Sequence, residues 1–263
     1  MNYKYYAKSN PIETIKEHTD KLLENLEILR RIYGSKIIQA IDMPEDRFWQ
    51  LMEIICEYHD VGKVYSGFQN AIRKNIGEPL LQTKFNNEQI KHEQISPMFV
   101  PYKKYDLTKT ERKLVYQAIY YHHERANTIH IDGELLKEII KDDIEPNTEK
   151  IENELQIKVP KLKTVYLGMV QARITEFDDI YKDYCIMKGL LHRLDHCSSA
   201  WIPVEDETSD EILEFVEKFM KKQNFNPNDL QQFAKENQDQ NIMVIGSTGM
   251  GKTEAALLWS NHD

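Results

Sequence analysis

Residues 57–63 read EYHDVGK. The helical pattern before them, Phe48, Leu51, Met52, Ile55 and Cys56 at spacings of three and four, predicts a helix over about Arg47 to His59 that breaks at Gly62. His59 falls four after Ile55, on the buried stripe. Neighbouring residues on a helix point about 100° apart, so His59 and Asp60 can face one centre only if that centre lies near the helix end. A metal ion is the simplest such centre, and it needs partners from the rest of the chain.

Those partners must come from an ordinary globular chain. Of 263 residues, 41% are hydrophobic and 29% charged, and no apolar run approaches the ~20 residues of a membrane helix. The opening MNYKYYAKSN has no apolar signal core, which predicts a cytoplasmic protein with no membrane association. Three cysteines, Cys56, Cys185 and Cys197, form no C-x-x-C pair, which argues against a disulfide framework or a zinc ribbon. A net charge of −9 gives no overall footprint for nucleic acid. Bound divalent cations would cancel part of it locally and could meet a phosphate themselves.

Outward from the quoted stretch, a helix is predicted from Pro11 to Tyr33, with Asn10 as N-cap, Glu13 at the capping-box position and Gly34 as its end. His18 lies three after Ile15 and four before Leu22, pointing inward. A helical stretch around Glu88 to Phe99 carries His92. Thr108 and Glu111 form a capping box for a helix running through Ala118 and Ile119 to YYHHE, which turns His122 inward. From about Leu162 the helical pattern resumes and ends in YCIMKGLLHRLDHCSSAW, where Asp195 sits four after Leu191. No run of alternating strands is seen between Tyr3 and Trp201, so residues 1–204 read as an all-α bundle. The acidic VEDETSDE opens a linker over 205–223. Residues 224–263 then hold a short buried strand, a glycine-rich loop and a helix start, IMVIGSTGMGKTEAALLW, which fits G-x-x-x-x-G-K-[ST] with Gly246, Gly251, Lys252 and Thr253. The sheet and the magnesium-binding acid that a P-loop needs have no room after it, so the chain reads as the amino-terminal part of a longer protein.

Five histidines and two aspartates thus fall on or at the end of apolar helical faces: His18, His59, Asp60, His92, His122, His123 and Asp195. Seven polar groups buried without a shared centre would cost about 1–3 kcal/mol for each one left unpaired. Imidazole with carboxylate suits manganese, iron, cobalt, nickel or zinc better than magnesium or calcium. Seven ligands exceed one ion, whereas two ions about 3.5–4 Å apart and bridged by a carboxylate would use them all. Asp60 is the natural bridge. A rival is HRLDH, His192 to His196, near the H-x-x-E-H zinc pattern but with Asp195 in place of glutamate, and it leaves the other histidines idle.

The order H, HD-x-G-K, H, HH, D resembles the HD nuclease domain of the CRISPR-associated nuclease-helicase of type I systems. The continuation STGMGKTEAALLW is similar to the start of that family's helicase motor. The resemblance implies an HD-domain helical bundle followed by a truncated α/β helicase domain. It implies His18, His59, Asp60 and Asp195 around one divalent ion and Asp60, His92, His122 and His123 around the other. Manganese, iron, cobalt or nickel is expected there, with magnesium possible. Asp60 and Lys63 are the implied catalytic residues, and Ser96 and Ser199 are candidates to orient ligands through hydrogen bonds. Gly246, Gly249, Gly251, Lys252 and Thr253 would hold ATP and magnesium in the longer protein, and Gln231 or Gln232 is a candidate to read adenine.

The implied activity is hydrolysis of single-stranded DNA, with the displaced strand opened by an RNA-guided CRISPR surveillance complex as substrate. A phage-encoded inhibitor is a further expected partner. ATP-driven unwinding is not expected of this chain by itself. Two other readings fit parts of the sequence: an HD phosphohydrolase of nucleotides or cyclic dinucleotides, and a metal-free docking module.

Overall fold

Thr14 caps the first long helix: its hydroxyl accepts from the Glu17 N–H, and the Glu17 carboxylate accepts from the Thr14 N–H. The computed structural model describes residues 4–85, 90–123, 131–205 and 212–260. In it the chain divides into two compact units, Met1–Glu205 and Asp206–Asp263. The expected helical bundle is what the first unit contains. Its helices are α1 (Ile15–Ile38), α2 (Glu45–Tyr58), α3 (Ser66–Ile76), α4 (His92–Ile95), α5 (Lys109–Tyr120), α6 (Gly133–Ile139), α7 (Thr148–Leu155), α8 (Tyr166–Gln171) and α9 (Tyr181–Ala200). Short 3-10 turns follow α2, at Val61–Val64, and α4, at Ser96–Phe99.

The start of this unit differs from the sequence reading. Ile12–Thr14, expected in the first turn of a helix, instead form strand β2, which pairs antiparallel with β1 (Tyr6–Ser9). Asn10 with Glu13 and Thr14 with Glu17 have the same capping-box spacing, so the local rule fits two registers. Long-range contacts select the second one. Gln69, fully buried, accepts from the Tyr6 N–H at 2.9 Å and donates to the Tyr6 carbonyl at 2.9 Å, fastening β1 as a strand. Gly34 does not end α1, which continues to Ile38. The helix expected from Glu88 is the single turn α4, and positions 86–89 lie outside the described residues. The capping box of Thr108 and Glu111 at the head of α5 is present as expected.

Helices α1, α2, α5 and α9 form the bundle: α1 packs on α2 and α9, and α5 packs on α2 and α9. Leu22, Leu26, Phe48, Leu51, Ile55, Ile119 and Leu191 meet in one apolar core. Burying each such side chain contributes about 1.5–3 kcal/mol. A bidentate pair, Arg47 to Glu111 at 2.5 and 2.8 Å, ties the start of α2 to the start of α5.

The second unit holds α10 (Ile212–Lys222), α11 (Asp229–Glu236) and α12 (Lys252–Trp259). The stretch read as a linker therefore contains a helix, and its Val216 and Met220 form a small core with Leu258. The expected buried strand before the glycine-rich loop is absent: Met243 and Ile245 are 87% and 91% exposed, and no described strand stands beside them to pair with. No helix among the described residues is long and apolar enough to cross a membrane.

Candidate metal centre

Helix α2 ends at His59, and Asp60 takes φ −107° and ψ 0° before the 3-10 turn begins. That change of direction lets two adjacent side chains face one point. Helix α5 ends in a similar way, at Tyr121 with φ −111° and ψ 15°, and His122 and His123 follow. His18 arrives from the middle of α1, Asp195 from α9, and His92 opens α4.

These elements bring together all seven residues singled out in the sequence. One atom from each of His18, His59, Asp60 and Asp195 lies within 4.8 Å of the others, and the same holds for Asp60, His92, His122 and His123. Asp60 belongs to both sets and divides its oxygens between them. Its Oδ1 lies 3.0 Å from His92 Nε2, while Oδ2 lies 3.5 Å from His18 Nε2 and 3.4 Å from His59 Nε2. Asp195 Oδ1 is 3.0 Å from His18 Nε2 and 3.9 Å from His59 Nε2. His192 and His196, the rival pair, stack on each other with ring centroids 4.1 Å apart and enter no such set among the described residues.

The rings are held so that their outer nitrogens face inward. His59 Nδ1 donates to the Cys56 carbonyl at 2.8 Å, and His122 Nδ1 donates to the Ile119 carbonyl at 2.6 Å. A carbonyl can only accept, so on each neutral ring the lone pair resides on Nε2. The Nε2 atoms of His59, His92 and His122 and the Oδ1 of Asp60 are buried without an aligned hydrogen bond. His92 Nε2 and Asp60 Oδ1 lie 3.0 Å apart, yet their alignment is not that of a hydrogen bond. Orphaned buried acceptors of this kind fit divalent cations.

The local electrostatics favour the same ligands. Burial and the neighbouring imidazoles of His123 and His59 push His122 well below the usual histidine value, and burial lowers His92 and His123. Burial opposes charge on Asp60, but His59 and Lys63 outweigh it and hold the carboxyl well below its ordinary range. Burial is outweighed at Asp195 too, chiefly by its bond with His18. His59 is raised: the carboxylates of Asp60 and Asp195 outweigh its burial. The centre therefore joins ionised carboxylates to imidazoles that mostly stay neutral.

Lys63 Nζ donates to Asp60 Oδ2 at 2.6 Å. Ser96 Oγ accepts from the Gly62 N–H at 2.8 Å and donates to the His92 carbonyl at 3.0 Å, which joins the Asp60 turn to the His92 turn. Ser199 is elsewhere: it is exposed, and the buried serine of that turn is Ser198, which bonds Asn25. Spacing from Asp195 placed Ser199 on the same face, but in α9 the inward side at that level belongs to its neighbour.

Glu13, whose spacing in the sequence fits a helix cap, is a site residue that the sequence does not reveal. It is buried, with Oε2 3.4 Å from His18 Nδ1, and is held by Lys21 at 2.5 Å and Lys8 at 2.7 Å. Burial raises its carboxyl, and the two ammonium groups outweigh that and lower it. Only the hairpin puts Glu13 behind His18, so no local signal could reveal it.

In the second unit, Gly249 and Gly251 adopt φ of +85° and +74°, and Lys252 Nζ donates to the carbonyls of Gly246 and Ser247 at 3.0 and 2.6 Å. Thr253 and Gln231 line a cleft beside this loop, with Gln231 donating to the Gly251 carbonyl at 3.3 Å. Gln232 is exposed and bonds Glu236.

Among solved structures, the chain is similar to the CRISPR-associated Cas3 HD domain protein from Methanocaldococcus jannaschii, with 18% sequence identity and a TM-score of 0.41 over 73% of this chain and 98% of that one. No protein-family model and no curated protein matches the chain.

Proposed function

We propose that the first unit is a two-metal nuclease that hydrolyses phosphodiester bonds of single-stranded DNA. The observation that carries this reading is the division of Asp60 between two four-residue sets, one oxygen facing each. The resemblance of the H, HD-x-G-K, H, HH, D order to CRISPR-associated nucleases supports DNA as substrate and an RNA-guided surveillance complex as the source of the strand.

Bound in the two sets, divalent cations would supply an ionised water near neutral pH and neutralise charge on the phosphate. The chain's own residues set this up. Burial keeps His92 and His122 neutral, so their Nε2 lone pairs remain available. Asp60 and Asp195 stay ionised and give each set a negative oxygen. Lys63 anchors Asp60 and places a positive charge beside Oδ2 of the shared carboxylate, where it can stabilise charge developing on the phosphate. The loop Gly246–Thr253 is proposed in the same way to hold nucleotide phosphates.

The test is manganese-dependent cleavage of circular single-stranded DNA without ATP, beside Asp60→Ala. A circle has no ends, so contaminating exonucleases are silent. The expected result is cutting by the wild type and none by the variant. A wild type that binds two ions per chain and hydrolyses nucleotides but leaves the circle intact would replace this reading with a nucleotide phosphohydrolase.

A further inference from the structure

The two ligand sets differ in access. His18, His59, Asp60 and Asp195 are all buried, whereas the second set includes His123, which is exposed. Together with His122, His123 forms part of the wall of a cleft of about 720 Å³. Helix α9 lines much of that cleft with Tyr181, Cys185, Lys188, Gly189, His192 and His196, one side of the helix at spacings of three and four. Arg173, after α8, also lines it, with its guanidinium 4.1 Å from the Tyr121 ring centroid.

The lining is unlike the rest of the chain. In a protein of net charge −9 it contains, among the described residues, Arg173, Lys188 and several imidazoles but no carboxylate. Gly189 adds a second, independent observation. Glycine inside a helix of 20 residues weakens it relative to alanine. Packing does not require it there, since an added Cβ would meet no atom within 4 Å. The missing side chain leaves the α9 backbone open to whatever lies in the cleft.

Resting on the nuclease reading above, we infer that this cleft is the track by which one polynucleotide strand reaches the metal centre. Lys188 and Arg173 take phosphates of the strand, Gly189 lets its backbone lie close against α9, and the 38% exposed Tyr181 offers a ring for a base. His123 marks the inner end of the track. This also gives the HRLDH histidines a place: His192 and His196 lie along the strand and not around an ion.

The test uses the manganese-loaded full chain and a fluorescent phosphorothioate oligothymidylate of about 12 nucleotides, which keeps the charge of DNA and resists hydrolysis. Anisotropy is measured across a salt series for wild type, the double variant Arg173→Gln with Lys188→Gln, and Gly189→Leu. Manganese binding is measured for each. The double variant should bind about tenfold or more weakly, and the slope of log K on log salt should fall by about 1.4, at roughly 0.7 for each lost cation. Gly189→Leu should also weaken binding about tenfold but keep the wild-type slope, because it blocks the cleft without removing charge. Manganese binding should be unchanged in all three.

Variants that bind like wild type would overturn the inference. So would a loss of manganese binding in step with strand binding, or competition by thymidine monophosphate as strong as by the oligonucleotide. If the variants behave as expected while the wild type cuts no DNA, the strand track stands and the nuclease reading falls. A wild type that cuts, with variants indifferent in binding, has the opposite meaning.

Discussion

Gly62 donates its backbone N–H to the Ser96 hydroxyl at 2.8 Å, across a contact so close that a Cβ on Gly62 would lie 2.2 Å from the His92 carbonyl oxygen. The glycine of HDVGK is therefore needed for what touches it. It lets the turn bearing His92 settle directly on the turn bearing Asp60, which puts one ligand of the second set against the shared carboxylate.

Gly62→Ala should force those turns apart. The expected cost is about 1–3 kcal/mol, the range of overpacked sites, together with selective loss of the second ion. Denaturant unfolding and manganese stoichiometry check this; a variant that keeps two ions per chain and wild-type stability would refute it. Ser96→Ala, which leaves the Gly62 N–H buried without its acceptor, should cost about 1–3 kcal/mol.

Asp60→Ala should abolish tight binding at both sets, whereas His18→Ala should weaken the buried set and spare the other. Isothermal titration with manganese separates these outcomes. Metal removal should also lower stability: at an ion concentration a hundred times Kd, each site adds about 2.7 kcal/mol. Dialysis against chelator should thus lower the Tm of the wild type and leave that of Asp60→Ala almost unchanged.

Glu13 places a buried carboxylate oxygen 3.4 Å from His18 Nδ1. Replacement by Gln, which keeps the shape but loses the charge, should reduce manganese affinity of the buried set about 10–100-fold, as for other carboxylates that back a metal-binding imidazole. The second set should be unaffected, and equal losses at both would point to general unfolding.

The Arg47 and Glu111 pair gives a pH signature far from the metal centre. Its bond to Arg47 pulls the Glu111 carboxyl down to about 2 from an ordinary 4.5. The folded value lies below the unfolded one, so the stabilisation is present above about pH 4.5 and is lost as pH falls toward 2. Partial solvent exposure limits it to about 1 kcal/mol. Glu111→Gln should be less stable than wild type by about that amount at pH 6, and the gap should narrow steadily below pH 4.5.

His18, His59, His122 and Asp195 were legible because each sits at helical spacing from apolar neighbours, and a bundle turns such positions to one interior; Asp60 and His123 follow a legible residue at a helix end, and His92 lies in a helical stretch. Glu13 and the hairpin were not legible, because Asn10 and Thr14 satisfy the same capping rule and only the distant Gln69 decides between them. Gly62 was legible as a helix stop but not as the seat for Ser96, which requires knowing what packs there. The strand before the glycine-rich loop failed for a related reason: IMVI has the composition of a buried strand, yet a strand exists only with a neighbour to pair with.

The two carbonyls that fix His59 and His122 belong to Cys56 and Ile119, each three residues back in the last turn of the helix that leads to the ring. No side chain supplies that restraint, so no single side-chain deletion can take it away. An alanine scan would register these rings as ligands and be blind to what orients them. The vulnerable variable is where each helix stops: inserting one residue before His59 or before His122 would turn the ring by about 100° and withdraw its nitrogen from the centre, although every chemical group remained present.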